Sequence, residues 1–152
     1  MLSIRNVLME DREIVFEWRN DAVTREMFRN SDLVNWEQHC EWFANVMNSN
    51  ENCLLICECE NKEPIGVTRF DVNGSSASVS LNLSPTVRGR GFSTKCLMLA
   101  VDHFKSRHRK VSTLFAEIKM INVASLKTFE KIGFKLINER DGFWNLSLEL
   151  KN

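Results

Sequence analysis

The residues whose types and spacing most clearly promise chemistry are Arg88-Gly89-Arg90-Gly91-Phe92-Ser93. Glycine lets backbone approach a ligand closely, and successive N–H groups in such a loop can turn toward one point. A helix opening near Phe92 adds the partial positive charge of its N-terminal end, and Arg88 and Arg90 bring full charges. A pyrophosphate suits this concentration of donors better than a carboxylate does. A plain tight turn beside two solvated arginines satisfies the same residues, so the loop has to be read in context. It lacks a Gly-Lys-Ser/Thr ending and follows an antiparallel meander instead of opening a βαβ unit, which removes the P-loop and dinucleotide readings.

The elements that must hold this loop follow from periodicity and caps. Leu2, Ile4 and Val7 alternate as a first strand, and Asp11 is placed to cap a helix carrying Ile14, Val15 and Trp18. A short helical stretch covers residues 23–28, and Asn35 with Gln38 has the spacing of a capping box that opens a helix running through Met47. Residues 53–60, 65–72 and 77–83 read as a meander of strands with turns at Asn61-Lys62 and Asn73-Gly74. In its third strand Ala77, Val79, Leu81 and Leu83 face one way, Ser78, Ser80 and Asn82 the other, and Pro85 ends the pairing. Residues 92–107 form a helix with a wide apolar surface, and 112–118 a strand. Asn122 caps a helix over 123–132 closed by Gly133, and two strands around Asp141-Gly142 finish the chain. The total is about seven strands and about four helices, an α+β layout with one mixed sheet.

A chain of 152 residues, 43% hydrophobic and 26% charged, fits one globular domain over 1–152. Twenty basic residues balance twenty acidic ones, so no net field recruits nucleic acid or an anionic membrane, and a small-molecule partner is expected. The opening MLSIRNVLMEDREIVF carries charges too early for a signal peptide, and no apolar run approaches the roughly 20 residues that span a bilayer. A cytoplasmic protein, monomer or homodimer, is the expectation. Cys53, Cys57 and Cys59 share a strand face and read as small buried hydrophobes, and no C-x-x-C pair or His/Cys cluster suggests a metal.

The stretch SVSLNLSPTVRGRGFSTKCLMLAVDHF resembles the acetyl-CoA-binding core of the GNAT superfamily of N-acetyltransferases, whose loop reads Arg/Gln-x-x-Gly-x-Gly/Ala. Gly91 falls on the required glycine, and Ser93 stands where Gly or Ala is usual. A second block, Asn122-Val-Ala-Ser125-Leu-Lys-Thr-Phe129-Glu-Lys-Ile-Gly133-Phe134, looks like the family's signature after its fifth strand. The resemblance implies a twisted, mostly antiparallel sheet splayed between its fourth and fifth strands. It also implies acetyl-CoA as cosubstrate, with Leu81 and Leu83 pairing with the pantetheine arm. The amides of Arg88, Gly89, Arg90, Gly91, Phe92 and Ser93 would take the pyrophosphate, and Asn122 and Ser125 would lie beside the arm.

Acetyl transfer needs a neutral amine, a polarised thioester carbonyl and a proton for the departing thiolate. By resemblance, the splay leaves the N–H of Leu81 to stabilise the oxyanion. The family's frequent glutamate near the start of that strand is Ser78 here, so Glu117, then Asp71 and His39, are the candidate bases. The common tyrosine is Phe129, and the chain has no tyrosine to act as acid. Specificity is expected in residues 18–43. There Trp18-Arg19-Asn20, Phe28 and His39 resemble members that acetylate nucleotide-linked amino sugars, of pseudaminic-acid-pathway type, and also ribosomal-protein N-terminal acetyltransferases. Arg19, Arg25 and Arg29 suit a nucleotide diphosphate, although Trp18 and Trp36 also read as plain helix core. A CoA-binding sensor without turnover is the alternative from another class.

Overall fold

The computed structural model describes residues 1–151. Strand β1 (Ser3–Asn6) leads through a one-turn 3-10 segment into helices α1 (Arg12–Asn20), α2 (Ala22–Met27) and α3 (Trp36–Met47). The meander β2 (Asn52–Glu58), β3 (Pro64–Asn73) and β4 (Ser76–Leu83) follows. Helix α4 (Ser93–Arg107), strand β5 (Thr113–Lys119), helix α5 (Val123–Lys131) and the hairpin β6 (Lys135–Arg140) and β7 (Phe143–Glu149) complete the chain. Four of these helices have nine residues or more and α2 has six.

The seven strands form one sheet in the order β1-β2-β3-β4-β5-β7-β6. All neighbours are antiparallel except β4 and β5, which run parallel and pair only through Ser76, Ala77 and Ser78 against Thr113, Leu114 and Phe115. Beyond Ser78 and Phe115 the two strands part. The expected splay is therefore present, in the middle of the sheet.

The caps explain where the helices begin. Asn35 Oδ1 accepts from the Gln38 N–H at 2.8 Å, and Asn122 Oδ1 accepts from the Ser125 N–H at 3.2 Å; both asparagines cap as expected, but the Gln38 side chain makes no return bond, so the expected capping box is only half formed among the described residues. Asp11 behaves differently. It stands at the start of α1, but its buried carboxylate accepts from Arg5 Nη1 and Nη2 at 2.7 and 2.9 Å and from the Leu8 N–H at 2.7 Å, so it ties β1 to the helix and does not cap it. The second hairpin turn also sits one residue later than expected. Asn73 pairs with Ser76, which puts Gly74, at φ +65°, first in a two-residue turn that needs a positive φ there.

Alternation in the strands sends apolar side chains to both faces. On one face Leu55, Phe70, Val79, Leu114 and Leu146 pack against Leu97, Ala100 and Phe104 of α4 and Phe129 of α5. On the other, Leu54, Ile56 and Val67 meet Val15 and Trp18 of α1 and Phe43 and Val46 of α3. All five cysteines are free thiols, and Cys57 of β2 touches Cys96 of α4, Sγ to Sγ, at 2.6 Å within the first face. Phe70 and Phe104 stack with centroids 4.1 Å apart and planes 7° from parallel, both rings fully buried. Phe104→Ala removes one of them, and denaturant unfolding should show a loss of about 3–5 kcal/mol; a loss below about 1 kcal/mol would contradict the placement of α4 on the sheet.

Candidate active site

Two cavities flank the free part of β4. The first, of about 290 Å³, lies where β4 and β5 diverge, between the turn before α4, the first turn of α5 and helix α2. Leu81, Leu83, Arg88, Gly89, Ser93, Asn122 and Ser125 line it, so the two blocks far apart in sequence meet at one cleft. Gly89 and Gly91 hold φ values of +73° and +82°, and a Cβ built on either would touch nothing within 4 Å. Backbone conformation, not space, demands glycine at both positions. Helix α4 begins with no side chain capping its first N–H groups. Ser93 Oγ meets Thr128 Oγ1 at 2.9 Å, and Thr128 donates to the Ala124 carbonyl at 3.1 Å, which fixes α4 against α5 at the back of the cleft.

The two arginines of the loop separate in role. Arg88 Nη2 reaches Asp21 Oδ2 at 2.6 Å and also Thr24 Oγ1, so its charge is used to fasten the loop to α2 and is not free for a ligand. Arg90 lies outside the cleft with its guanidinium 5.7 Å from the centroid of the Phe92 ring, which packs against Cys57, Val87 and Cys96; Arg90 and Gly91 are exposed, and none of the three lines the cavity.

The second cavity, of about 330 Å³, opens on the opposite face of β4. Ser80 and Asn82 border both cavities, as does Phe28. Arg19, Arg25, Arg29 and Arg69 line the second, with Trp42 and a single carboxylate, Asp32. Glu117 is the one carboxylate along the first cavity, where Arg29 Nε donates to it at 2.8 Å.

Other expected site residues lie elsewhere. Trp18 is 4% exposed and belongs to the core under α1. Asn20 clamps the loop before α3, donating to the Val34 carbonyl at 2.9 Å and accepting from its N–H at 2.8 Å. Asp71 lines neither cavity and sits 2.9 Å from Arg69 Nε. His39 is fully buried among Phe16, Trp36, Trp42 and Phe43 and does not reach a cavity. Its Nε2 is 2.8 Å from the Arg12 carbonyl and its Nδ1 3.0 Å from Arg19 Nη1, a pairing in which Nε2 donates and Nδ1 accepts, so the neutral ring is spent as a brace. Trp42, which falls within the stretch 18–43 expected to shape the acceptor pocket, does line the second cavity, whereas Thr24 and Arg69 are site residues that sequence reasoning missed. Arg69 had a signal in the sequence, since strand alternation puts it on the face of Val67.

Residues 2–135 match the family described as Acetyltransferase (GNAT) domain. The chain belongs to this family. An uncharacterized N-acetyltransferase of Methanocaldococcus jannaschii, MJ1207, is 24% identical over 144 residues, covering 88% of this chain and 60% of the relative. The chain thus spans 60% of that relative's length, less than two thirds. Among solved structures, a spermidine N-acetyltransferase from Vibrio cholerae, in complex with CoA and spermine, superposes with a TM-score of 0.85 at 17% identity, over 97% of this chain and 95% of that one. The Campylobacter jejuni N-acetyltransferase PseH, in complex with acetyl coenzyme A, gives a TM-score of 0.75 at 18% identity, over 99% and 100%. At such identities these two show the GNAT fold. Among the described residues no helix is long and apolar enough to cross a membrane, and no group of three or more His, Cys, Asp or Glu could hold a metal.

Burial, together with the nearby charges of Arg19 and Arg12, holds the pKa of His39 below its usual value, against the pull of the Arg12 carbonyl. The unfolded chain therefore binds a proton at this residue that the folded GNAT domain does not, and stability should fall as pH drops through about 6.5. In His39→Gln that pH slope should be shallower by up to about 1.4 kcal/mol per pH unit between pH 7.5 and 5.5. An equal slope in denaturant titrations of both proteins would show that His39 takes up its proton as readily in the fold as in the unfolded chain.

Proposed function

We propose that this domain moves the acetyl group of acetyl-CoA to a primary amine, and that the amine is the amino group of a nucleotide-linked deoxyamino sugar. The observation that carries the reading is the placement of two cavities on either side of β4 where its edge toward β5 is unpaired, one bordered by the Gly89 turn before α4 and one lined by arginines. The residues fit the cosubstrate: the positive-φ turn and uncapped α4 present N–H groups suited to a pyrophosphate. The free edge of β4 around Leu81 and Leu83 offers main-chain groups to a pantetheine amide. When bound, acetyl-CoA supplies an activated thioester.

The protein's own share of the chemistry is positional and electrostatic. An N–H on the free edge of β4, assigned to Leu81, donates to the acetyl carbonyl oxygen. Glu117 takes the proton of the incoming ammonium, directly or through water, with Arg29 orienting its carboxylate. No phenol protonates the thiolate, because the buried ring at the expected position is Phe129, packed edge-on against Phe134 at 5.1 Å. A thiol of pKa about 8.5 can leave without one.

The acceptor cavity argues for an anionic substrate. Four arginines against one aspartate oppose a polyamine, the substrate class of the Vibrio neighbour, and Trp42 offers a ring face to a sugar. In a thiol-release assay, nucleotide-linked amino sugars should be turned over in preference to spermidine or peptides; preference for spermidine would overturn the acceptor assignment. Gly91→Glu should abolish the thermal shift given by acetyl-CoA, since it forces a side chain into a turn at φ +82° beside the diphosphate. Glu117→Gln should lower kcat by about 100-fold or more with KM for acetyl-CoA unchanged; an unaltered kcat would remove Glu117 from proton transfer.

A further inference from the structure

The four arginines of the acceptor cavity are not equivalent. Arg25 donates from Nε to the Asn20 carbonyl at 3.2 Å and from Nη1 to the Ser31 carbonyl at 3.0 Å, so it holds the loop that leads to α3. Arg29 is paired with Glu117 and lies over the Phe143 ring at 4.2 Å. These two have structural partners.

Arg19 and Arg69 differ from them. Both guanidinium groups sit over one ring, Trp42, at 4.2 and 5.2 Å from its centroid. They come from elements remote in sequence, α1 and β3, and converge on the same wall of the cavity. Among the described residues Arg19 has no carboxylate partner: its only hydrogen bond there is from Nη1 to His39 Nδ1 at 3.0 Å, which leaves Nε and Nη2 without a hydrogen-bond partner among them. Arg69 has Asp71 Oδ2 2.9 Å from its Nε, while Nη1 and Nη2 have no hydrogen-bond partner among the described residues. Two like charges thus face one cavity, and burial together with the charge of Arg69 makes the protonated form of Arg19 less favourable than usual. Such an arrangement is costly in isolation and is relieved when an anion bridges the two forks. The brace formed by His39 and the Trp42 ring holds the forks in place before any ligand arrives.

The geometry points to an oxyanion subsite made by Arg19 and Arg69 on the Trp42 face, which reads a phosphate or carboxylate carried by the acceptor and so sets which amines are acetylated. The inference rests on the acetyl-transfer reading given above and narrows it: the acceptor must present an anionic group to this wall while its amine reaches the free edge of β4 at Ser80 and Asn82. The two sources of oxyanion, a nucleotide diphosphate and a carboxylate, are separated by the test.

The variant to use is Arg69→Met, which keeps an apolar stem over Trp42 and removes the fork from a half-exposed strand position; Arg69→Lys restores charge without the fork. First, the protein saturated with CoA, so that the other phosphate site is filled, is melted with pyrophosphate and separately with succinate. One of the two should raise Tm in the native sequence and fail to do so in Arg69→Met, with Arg69→Lys between them. Second, initial rates are compared for a nucleotide-linked amino sugar and the free amino sugar, and for an amino acid and its amide. Arg69→Met should raise KM by about tenfold or more for the charged member of the accepted pair and leave the uncharged member and KM for acetyl-CoA unaltered. The subsite is overturned if neither anion stabilises the CoA-bound protein, or if charged and uncharged acceptors respond equally to Arg69→Met. Stabilisation by succinate alone, lost in Arg69→Met, keeps the subsite and overturns the nucleotide-sugar reading. Stabilisation by pyrophosphate, lost in the variant, without turnover of any amine keeps the subsite and overturns the transferase reading.

Discussion

The parting of β4 from β5 after Ser78 and Phe115 is the constraint on which the rest of the site depends. Backbone N–H and C=O groups in the middle of a sheet are ordinarily paired, and leaving them bare costs free energy unless water or a ligand takes them. Here the strands are held together at one end by three parallel pairs and flanked at the other by α4 and α5, where Ser93 at the start of α4 is linked to Thr128 in the second turn of α5. The opening is thus built by packing on both sides of it. That packing also presents the free edge of β4 to two cavities at once, a geometry suited to passing a small group from one bound molecule to another.

Charge is distributed to match. Toward the cofactor side, Arg88 is neutralised by Asp21, and the positive character of the cleft comes from N–H groups of the turn and of α4. Fixed dipoles of this kind need no reorganisation when an anion binds. Toward the acceptor side the guanidinium groups themselves line the wall, Arg25 fastened to the loop before α3, Arg29 paired with Glu117 of β5, and two left with free donors. The contrast fits a cosubstrate whose diphosphate is always the same and an acceptor that has to be chosen.

Much of this architecture was legible in the residues. Alternation in residues 77–83 separated Val79 and Leu81, which face α4, from Ser80 and Asn82, which face the acceptor cavity; Asn35 and Asn122 marked their helices; and positive φ at Gly89 and Gly91 is what their place in the loop required. The failures share a cause: a side chain's partner cannot be read from its own position. Asp11 had the spacing of a cap but met Arg5 from β1. Arg88 looked like a phosphate ligand until α2 brought Asp21 against it. His39 and Trp18 lay in the stretch expected to form the acceptor pocket, yet helical phase turned both into the core, while Arg69, from a distant strand, was turned toward the cavity.

Amide hydrogen exchange measured with and without CoA tests the central claim most directly, because it reports on the very groups the splay leaves bare. CoA should slow exchange at alternate amides of residues 79–83 and at residues 89–93, with little change in β2 or β7. Unchanged exchange along residues 79–83, with protection confined to another part of the sheet, would contradict the assignment of the β4 edge as the place where the cosubstrate is held.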